Sequence, residues 1–319
     1  MQLPATQAPH TRQGLWFSSI RSVSAAASLP PALTSQKRRT VIQTQSDGAL
    51  YARVFIPAAQ PILDFCRRRH FIGAFHLFAL SAITGTFAAL FLMGGAAHPL
   101  LRFWAGIFLV VAELFSVSAG QMADDQLLPR KRLRAAQCGI GAAIVTFALA
   151  GTTCAATGID GSLWILPLGL AAIASAPIQA FAFDGARAEY VIAAGGAAPE
   201  FRENLLEMSI RVHDALLRGD GFRAKLWHRY VRLRQMQQSL IPPATQRSAD
   251  SFWWLNRSRM KKWTLLSPGV QVFSISIAAV VSAFWPDALT AVLWLVGVGG
   301  TALLCLLLLV GWKTAKSRG

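Results

Sequence analysis

Only 15 Asp and Glu residues stand against 31 Lys and Arg, so each carboxylate that falls in an apolar stretch asks for a reason. Glu113 lies well inside the run from Leu100 to Ala119. An ionisable group at that depth is costly and faces the interior of a helix bundle. It reads either as a binder of an ion or polar substrate, or as a protonated or interhelically bonded structural glutamate. Asp124, Asp125, Asp184 and Glu189 sit at the ends of apolar runs. Together they would make an acidic cluster, although salt bridges to Arg130, Lys131, Arg132 or Arg187 account for the same charges. His76 lies within the first apolar run and His70 at its edge. No second histidine stands at haem spacing on a facing run, so structural or interfacial roles fit them better than metal or haem ligation. The four cysteines, Cys66, Cys138, Cys154 and Cys305, have no C-x-x-C spacing. They read as small buried hydrophobes, without a disulfide framework or a zinc site. There is no P-loop, nucleophile elbow, zinc signature or dinucleotide fingerprint.

The elements that must position these residues are set by the bilayer. With 54% hydrophobic and 14% charged side chains and a mean hydropathy of +0.42, the chain is too apolar for an ordinary water-soluble domain. A helix crosses the roughly 30 Å hydrocarbon core with about 20 apolar residues. Six stretches reach that length: Phe71–Met93, Leu100–Ala119, Ala135–Ala156, Ser162–Phe183, Leu265–Phe284 and Ala288–Trp312. The fold class expected is all-α, a polytopic membrane protein.

The net charge of +16 is sorted by this topology. Arg12, Arg21, Lys37 to Arg39, Arg53 and Arg67 to Arg69 precede the first span. Arg130 to Arg132 and Arg134 follow the second, Arg187 to Lys262 follow the fourth, and Lys313, Lys316 and Arg318 end the chain. The opposite loops offer only His98, Arg102, Asp160 and Asp287. Six spans put every basic segment on one side, which the positive-inside rule makes cytoplasmic, with both termini there. The location expected is the cell (inner) membrane, and the charge is read as orientation and attraction to anionic lipid in place of nucleic-acid binding.

Residues 1–49 read as a disordered basic tail, with no acidic side chain before Asp47. Residues 50–312 form the membrane domain and 313–319 a second basic tail. From Leu50 to Cys66, apolar residues interrupted by Pro57 and Pro61 predict a kinked interfacial helix. The insertion 184–262 carries Phe201, Leu205, Met208, Val212 and Leu216 at helical spacing. After the turn Gly219-Asp220-Gly221, Phe222, Leu226, Tyr230 and Leu233 repeat the pattern. A cytoplasmic amphipathic helix pair follows from that spacing.

Four stretches resemble parts of the CDP-alcohol phosphotransferases, six-span enzymes of phospholipid synthesis. Tyr51–His70 looks like their juxtamembrane helix, and FLVVAELFSVSAGQMAD, ending at Asp124, occupies the place of their signature motif. IQAFAFDGARAEYVIAAG, ending at Gly195, is similar to the end of their fourth span; YVRLRQMQQSLIPP and LNRSRMKKWTLLSPGVQVFSISIAA look like the approach to their fifth. The resemblance implies transfer of a substituted phosphate group from a CDP-linked donor to an alcohol, with four aspartates holding Mg²⁺ or Mn²⁺. It also implies a homodimer in contact with membrane lipids. Against the pattern D-x-x-D-G-x-x-A-R, Gly120 and Ala123 match. Ser116 and Ala119 replace the first two aspartates, and Asp124 stands in the arginine position. No carboxylate lies between Asp125 and Asp160 to supply the other two. The metal centre survives only if it has been rebuilt from other acids. Asp184-Gly185-Ala186-Arg187 is one residue short of the motif and lacks its second half, so it reads as coincidence. Three functions follow: a divergent transferase, a non-catalytic relative that binds lipid or a partner, and a small-solute transporter using Glu113.

Overall fold

The computed structural model describes Gly48 and residues 50–69, 73–125, 130–195, 205–240 and 249–316. Residues 1–47, on which the basic-tail expectation falls, lie outside that set. Among the described residues every regular element is helical. A π-helical turn, Tyr51–Phe55, leads into α1, Ile56–Arg68. The apolar hairpin α2 (Ala74–Gly94) and α3 (Pro99–Asp125) follows, then α4 (Arg130–Asp160) and α5 (Ile165–Gly195). α6 (Leu205–Leu217), α7 (Gly221–Leu240) and α8 (Ala249–Trp263) belong to the insertion and its exit. α9 is Pro268–Val281; α10, Ala288–Trp294, passes through a second π-helical turn, Leu295–Gly300, into α11, Thr301–Lys316.

Among the described residues, five helical stretches are long and apolar enough to cross a membrane: Ala74–Gly94, Pro99–Met122, Gln137–Asp160, Ile165–Val191 and Ala288–Gly311. The expected fifth span is broken. Asn256–Leu266 and Pro268–Val281 meet at 49°, so a sixth crossing exists only if the bent pair acts as one span. The reason is local: a 3₁₀ turn at Thr264–Leu266 ends the first helix, and Ser267, extended with its hydroxyl accepting from the Val270 N–H, caps a helix that Pro268 begins. α5 also continues to Gly195, beyond the span end expected at Phe183, because polarity there does not end helical propensity.

α3 and α4 pack on each other, on α2 and on α9, and α5 closes on α4. With lipid outside as apolar as the core, helices associate by close approach and a few hydrogen bonds. Ser81 Oγ donates to the Ala112 carbonyl (2.8 Å) and Ser276 Oγ to that of Gly106 (2.7 Å). Ala88, Leu92, Ala105, Leu109, Val145, Leu149, Val272 and Ile275 fill the centre. Phe87, Leu90, Leu170, Ile178, Leu306 and Leu309 stay exposed on the outside, which suits a hydrocarbon surround.

α1 packs one side on the bundle: Ala59, Leu63 and Cys66 are buried while Phe65 faces outward, as Val54 does in the turn before it. His76 is exposed and caps α2, its Nδ1 accepting from the Gly73 N–H (3.1 Å), in line with a structural role. The helix pair is present too, turning at Gly219 with φ +73°. Its packing differs from the expected stripe: Ala215, Ala224 and Val231 are buried, whereas Leu216 and Phe222 point outward. Helical spacing marks a face, and the partner helix decides which residues on it are covered.

The reading of all four cysteines as buried needs correction. Cys66 is buried and Cys138 half-buried, but Cys154 and Cys305 are exposed on the outside of their helices. In an all-apolar span hydrophobicity cannot say which face meets protein, because a small apolar thiol is as well solvated by lipid. Burial pushes the Cys66 thiol up, and Leu63, Leu77 and Met122 pack in its cluster. A water-soluble maleimide is expected to leave Cys66 unmodified in the folded protein and to modify it after unfolding in SDS, as read by peptide mass mapping.

Candidate functional site

Glu113 and Ser116, one turn apart on α3, share a face. Gln137, Cys138 and Gly141 of α4 meet them from one side, and Phe183, Asp184 and Arg187 of α5 from another. The broken approach to α9 supplies Ser267, Pro268 and Gly269, and Tyr51 from the first π-helical turn completes the lining. These residues line a half-open cavity of about 50 Å³. Close approach of backbones makes the arrangement possible: a Cβ at Gly141 would lie 2.9 Å from the Pro268 side chain, and one at Gly120 2.8 Å from Gln137 Oε1. Gln137 uses that space, its amide N–H₂ donating to the Tyr51 hydroxyl and to the Ser116 carbonyl (3.4 Å). Gln237, near the end of α7, donates to the Phe181 carbonyl (2.7 Å) and the Asp184 carboxylate (3.4 Å). The inserted helix pair is thereby tied to the wall of the cavity.

Glu113 is 4% exposed and makes no hydrogen bond or ion pair with the described residues. Its carboxyl rests on Gly269, where any Cβ would come within 2.8 Å of Oε1, so the positive end of the α9 dipole lies against it. A buried carboxyl without donors is costly, which makes the cavity the source of its hydrogen-bonding partners. By position, Glu113 is about 4 Å from the middle of Pro99–Met122 at roughly 1.5 Å per residue.

Of the residues singled out in the sequence, the fold brings Glu113, Ser116 and Asp184 together. Ala119 is fully buried among Leu63, Ala74, Leu77 and Met122, away from the cavity, and Gly120 serves as the seat of Gln137. Glu189 is not in the lining. Ala123, Asp124 and Asp125 end α3, but their side chains fall outside the described residues. Ser116 and Ala119 supply no carboxylates for the divalent cations that the resemblance implies. The described residues hold no group of three or more His, Cys, Asp or Glu suited to a metal; the site residues do not fit that metal pair. Arg187, Gln137, Tyr51 and Gln237 were not legible as site residues. Only Arg187 carried a signal, standing one helical turn after Asp184 at the end of an apolar run.

Fold and site define an all-helical, multi-pass membrane protein with a polar cavity toward the end of the bundle that carries most of the basic residues. No protein-family model, curated protein or solved structure matches the chain.

Proposed function

We propose that this protein sits in the cell (inner) membrane, with its basic side and termini cytoplasmic, and binds a small phosphate-bearing head group in the cavity without transferring it. The observation that carries the reading is that Tyr51, Glu113, Ser116, Asp184, Arg187 and Ser267 converge on one polar cavity. They come from all four stretches in which the chain resembles the CDP-alcohol phosphotransferases. Arg187 offers a fork of donors for phosphate, Gln137, Tyr51 and Ser116 offer neutral partners, and Glu113 accepts from an alcohol hydroxyl or an ammonium. At about 50 Å³ and half open, the cavity seats one small polar group of such a ligand, with the rest of the molecule at its opening; sites that enclose whole organic molecules occupy roughly 300 Å³ or more. Without the metal-holding aspartates, binding is retained and the transfer chemistry is not.

The test is paired. Glycerol 3-phosphate is expected to bind the purified protein, measured by calorimetry, with Arg187→Gln or Glu113→Gln weakening binding about tenfold or more. In the same preparation, labelled phosphoryl-alcohol is expected not to move from CDP-linked lipid donors with Mg²⁺, Mn²⁺ or chelator. Metal-dependent turnover lost in Asp124→Asn or Asp125→Asn would overturn the non-catalytic reading, and absence of binding would remove the site. One observation favours a second reading, solute transport: a carboxyl without a partner, close to the middle of its span, at a cavity. Uptake into proteoliposomes that Glu113→Gln abolishes would select it.

A further inference from the structure

A second buried charge stands on α3, and nothing in the cavity uses it. Arg102 is 4% exposed, yet its guanidinium makes no hydrogen bond or ion pair with the described residues. Its Nε and Nη1 are both buried without an acceptor. Glu113 cannot serve as its counter-charge. Eleven residues separate the two, which places them within about 20° on the same helix face but about 16 Å apart along it.

The surroundings fix the depth of this group. Its aliphatic stem crosses the α2–α3 turn so closely that a Cβ at Gly95 would lie 2.5 Å from Arg102 Cγ. From the other side α4 closes on the next residue of that turn, a Cβ at Gly158 falling 2.6 Å from Ala96 Cβ. Beside Gly158, the Thr157 hydroxyl is also buried without a partner. Exposed tryptophans mark the same end of the bundle: Trp104 at the start of α3, Trp164 just before α5 and Trp285 after α9. Such rings sit at the level of lipid head groups. Arg102 is therefore a covered cation at head-group depth, at the end of the bundle away from the basic segments. With two guanidinium nitrogens buried without an acceptor and no carboxylate of the described residues beside it, Arg102 calls for an anion from outside those residues, reached through its remaining nitrogen.

We infer that Arg102 is the seat of a phosphate oxyanion, supplied by the phosphodiester of a bound phospholipid on the face opposite the polar cavity. Arginine suits this better than lysine, since its planar donors match a phosphate at more than one oxygen. The inference is independent of the function proposed for the cavity.

The test is thermal unfolding of the full-length protein, purified and delipidated in neutral detergent. Mixed micelles containing phosphatidylglycerol are expected to raise Tm by about 3 °C or more, while digalactosyldiacylglycerol, which has the same tails and no phosphate, is not. Arg102→Met is expected to unfold at a higher temperature than the natural protein before lipid is added, because it removes an unpaired buried charge, and to lose the phosphatidylglycerol increment. A rise with inorganic phosphate alone equal to that with phosphatidylglycerol would overturn the lipid as the source. An equal rise with the phosphate-free lipid would overturn the anion site, and needs no variant. So would an Arg102→Met protein that melts lower without lipid or keeps the full increment.

Discussion

Gly106→Leu is expected to abolish a folded, monodisperse protein, and Gly106→Ala to lower its stability by about 1–3 kcal/mol. Even the first added carbon meets backbone: a Cβ at Gly106 would lie 2.6 Å from the Ser276 carbonyl oxygen and 2.7 Å from Val280 Cγ2. A flexible side chain can yield; an α9 carbonyl cannot without moving its helix. Moving it also strains the bond from Ser276 Oγ to the Gly106 carbonyl. Gly151→Ala is expected to behave alike, since its Cβ would come within 2.6 Å of the Ala89 carbonyl oxygen of α2. Gly139 is the control. It lies in α4 with nothing within 4 Å of an added Cβ, so Gly139→Ala is expected to be neutral or to stabilise by about 0.5–1 kcal/mol through helix propensity. Thermal unfolding in detergent with fluorescence-detected size exclusion reads all four. Equal effects at Gly106 and Gly139 would show that α3 and α9 do not cross as described.

The second large effect is expected at Gln179. Its amide N–H₂ donates to the Val296 carbonyl (2.9 Å) and to Ser175 Oγ (3.2 Å), and its Oε1 accepts from Gln271 (2.7 Å). The pair joins α5, α9 and the π-helical turn Leu295–Gly300 inside the bundle. Gln179→Leu leaves both the Gln271 amide and the Val296 carbonyl without this partner and is expected to cost about 1–3 kcal/mol. Gln271→Leu is expected to cost less, because Gln271 Oε1 already lacks a partner and only one acceptor is orphaned. In the double variant two apolar side chains meet and the losses do not add. Coupling between such groups in membranes averages about 0.6 kcal/mol and reaches about 1.7 kcal/mol, so a cycle measured by unfolding should fall in that range. Additive losses would mean that the two amides do not touch.

These two sites also show where sequence reasoning stopped. Gly106 and Gln179 lie in apolar runs and announce nothing beyond membership of a span. Which glycine faces a neighbouring backbone, and which glutamine finds another, depends on helix rotation. Uniformly apolar helices carry little periodic signal for rotation, since lipid and protein core solvate the same side chains. The outward thiols of Cys154 and Cys305 escaped for that reason.

The sequence by itself determined the solvent, the all-helical class, the positions of the long apolar helices and the α6–α7 pair, because span length and charge placement answer to the bilayer alone. It also determined what is missing: without Asp at 116 and 119, a metal-dependent transfer site of the resembled kind has no ligands at those positions. Tertiary structure alone decided that the fifth apolar run breaks at Ser267. It turned Ala119 into the core while Ser116 lines the cavity, and it brought Arg187, Gln137, Tyr51 and Gln237 to Glu113 and Asp184. It also left two charges of one helix face, Arg102 near the start of its span and Glu113 near the middle, buried without each other. The physical reason is common to all four. Bilayer thickness and charge asymmetry act along the membrane normal and are written residue by residue, whereas the meeting of side chains within the membrane plane is set by the close approach of helices distant in sequence.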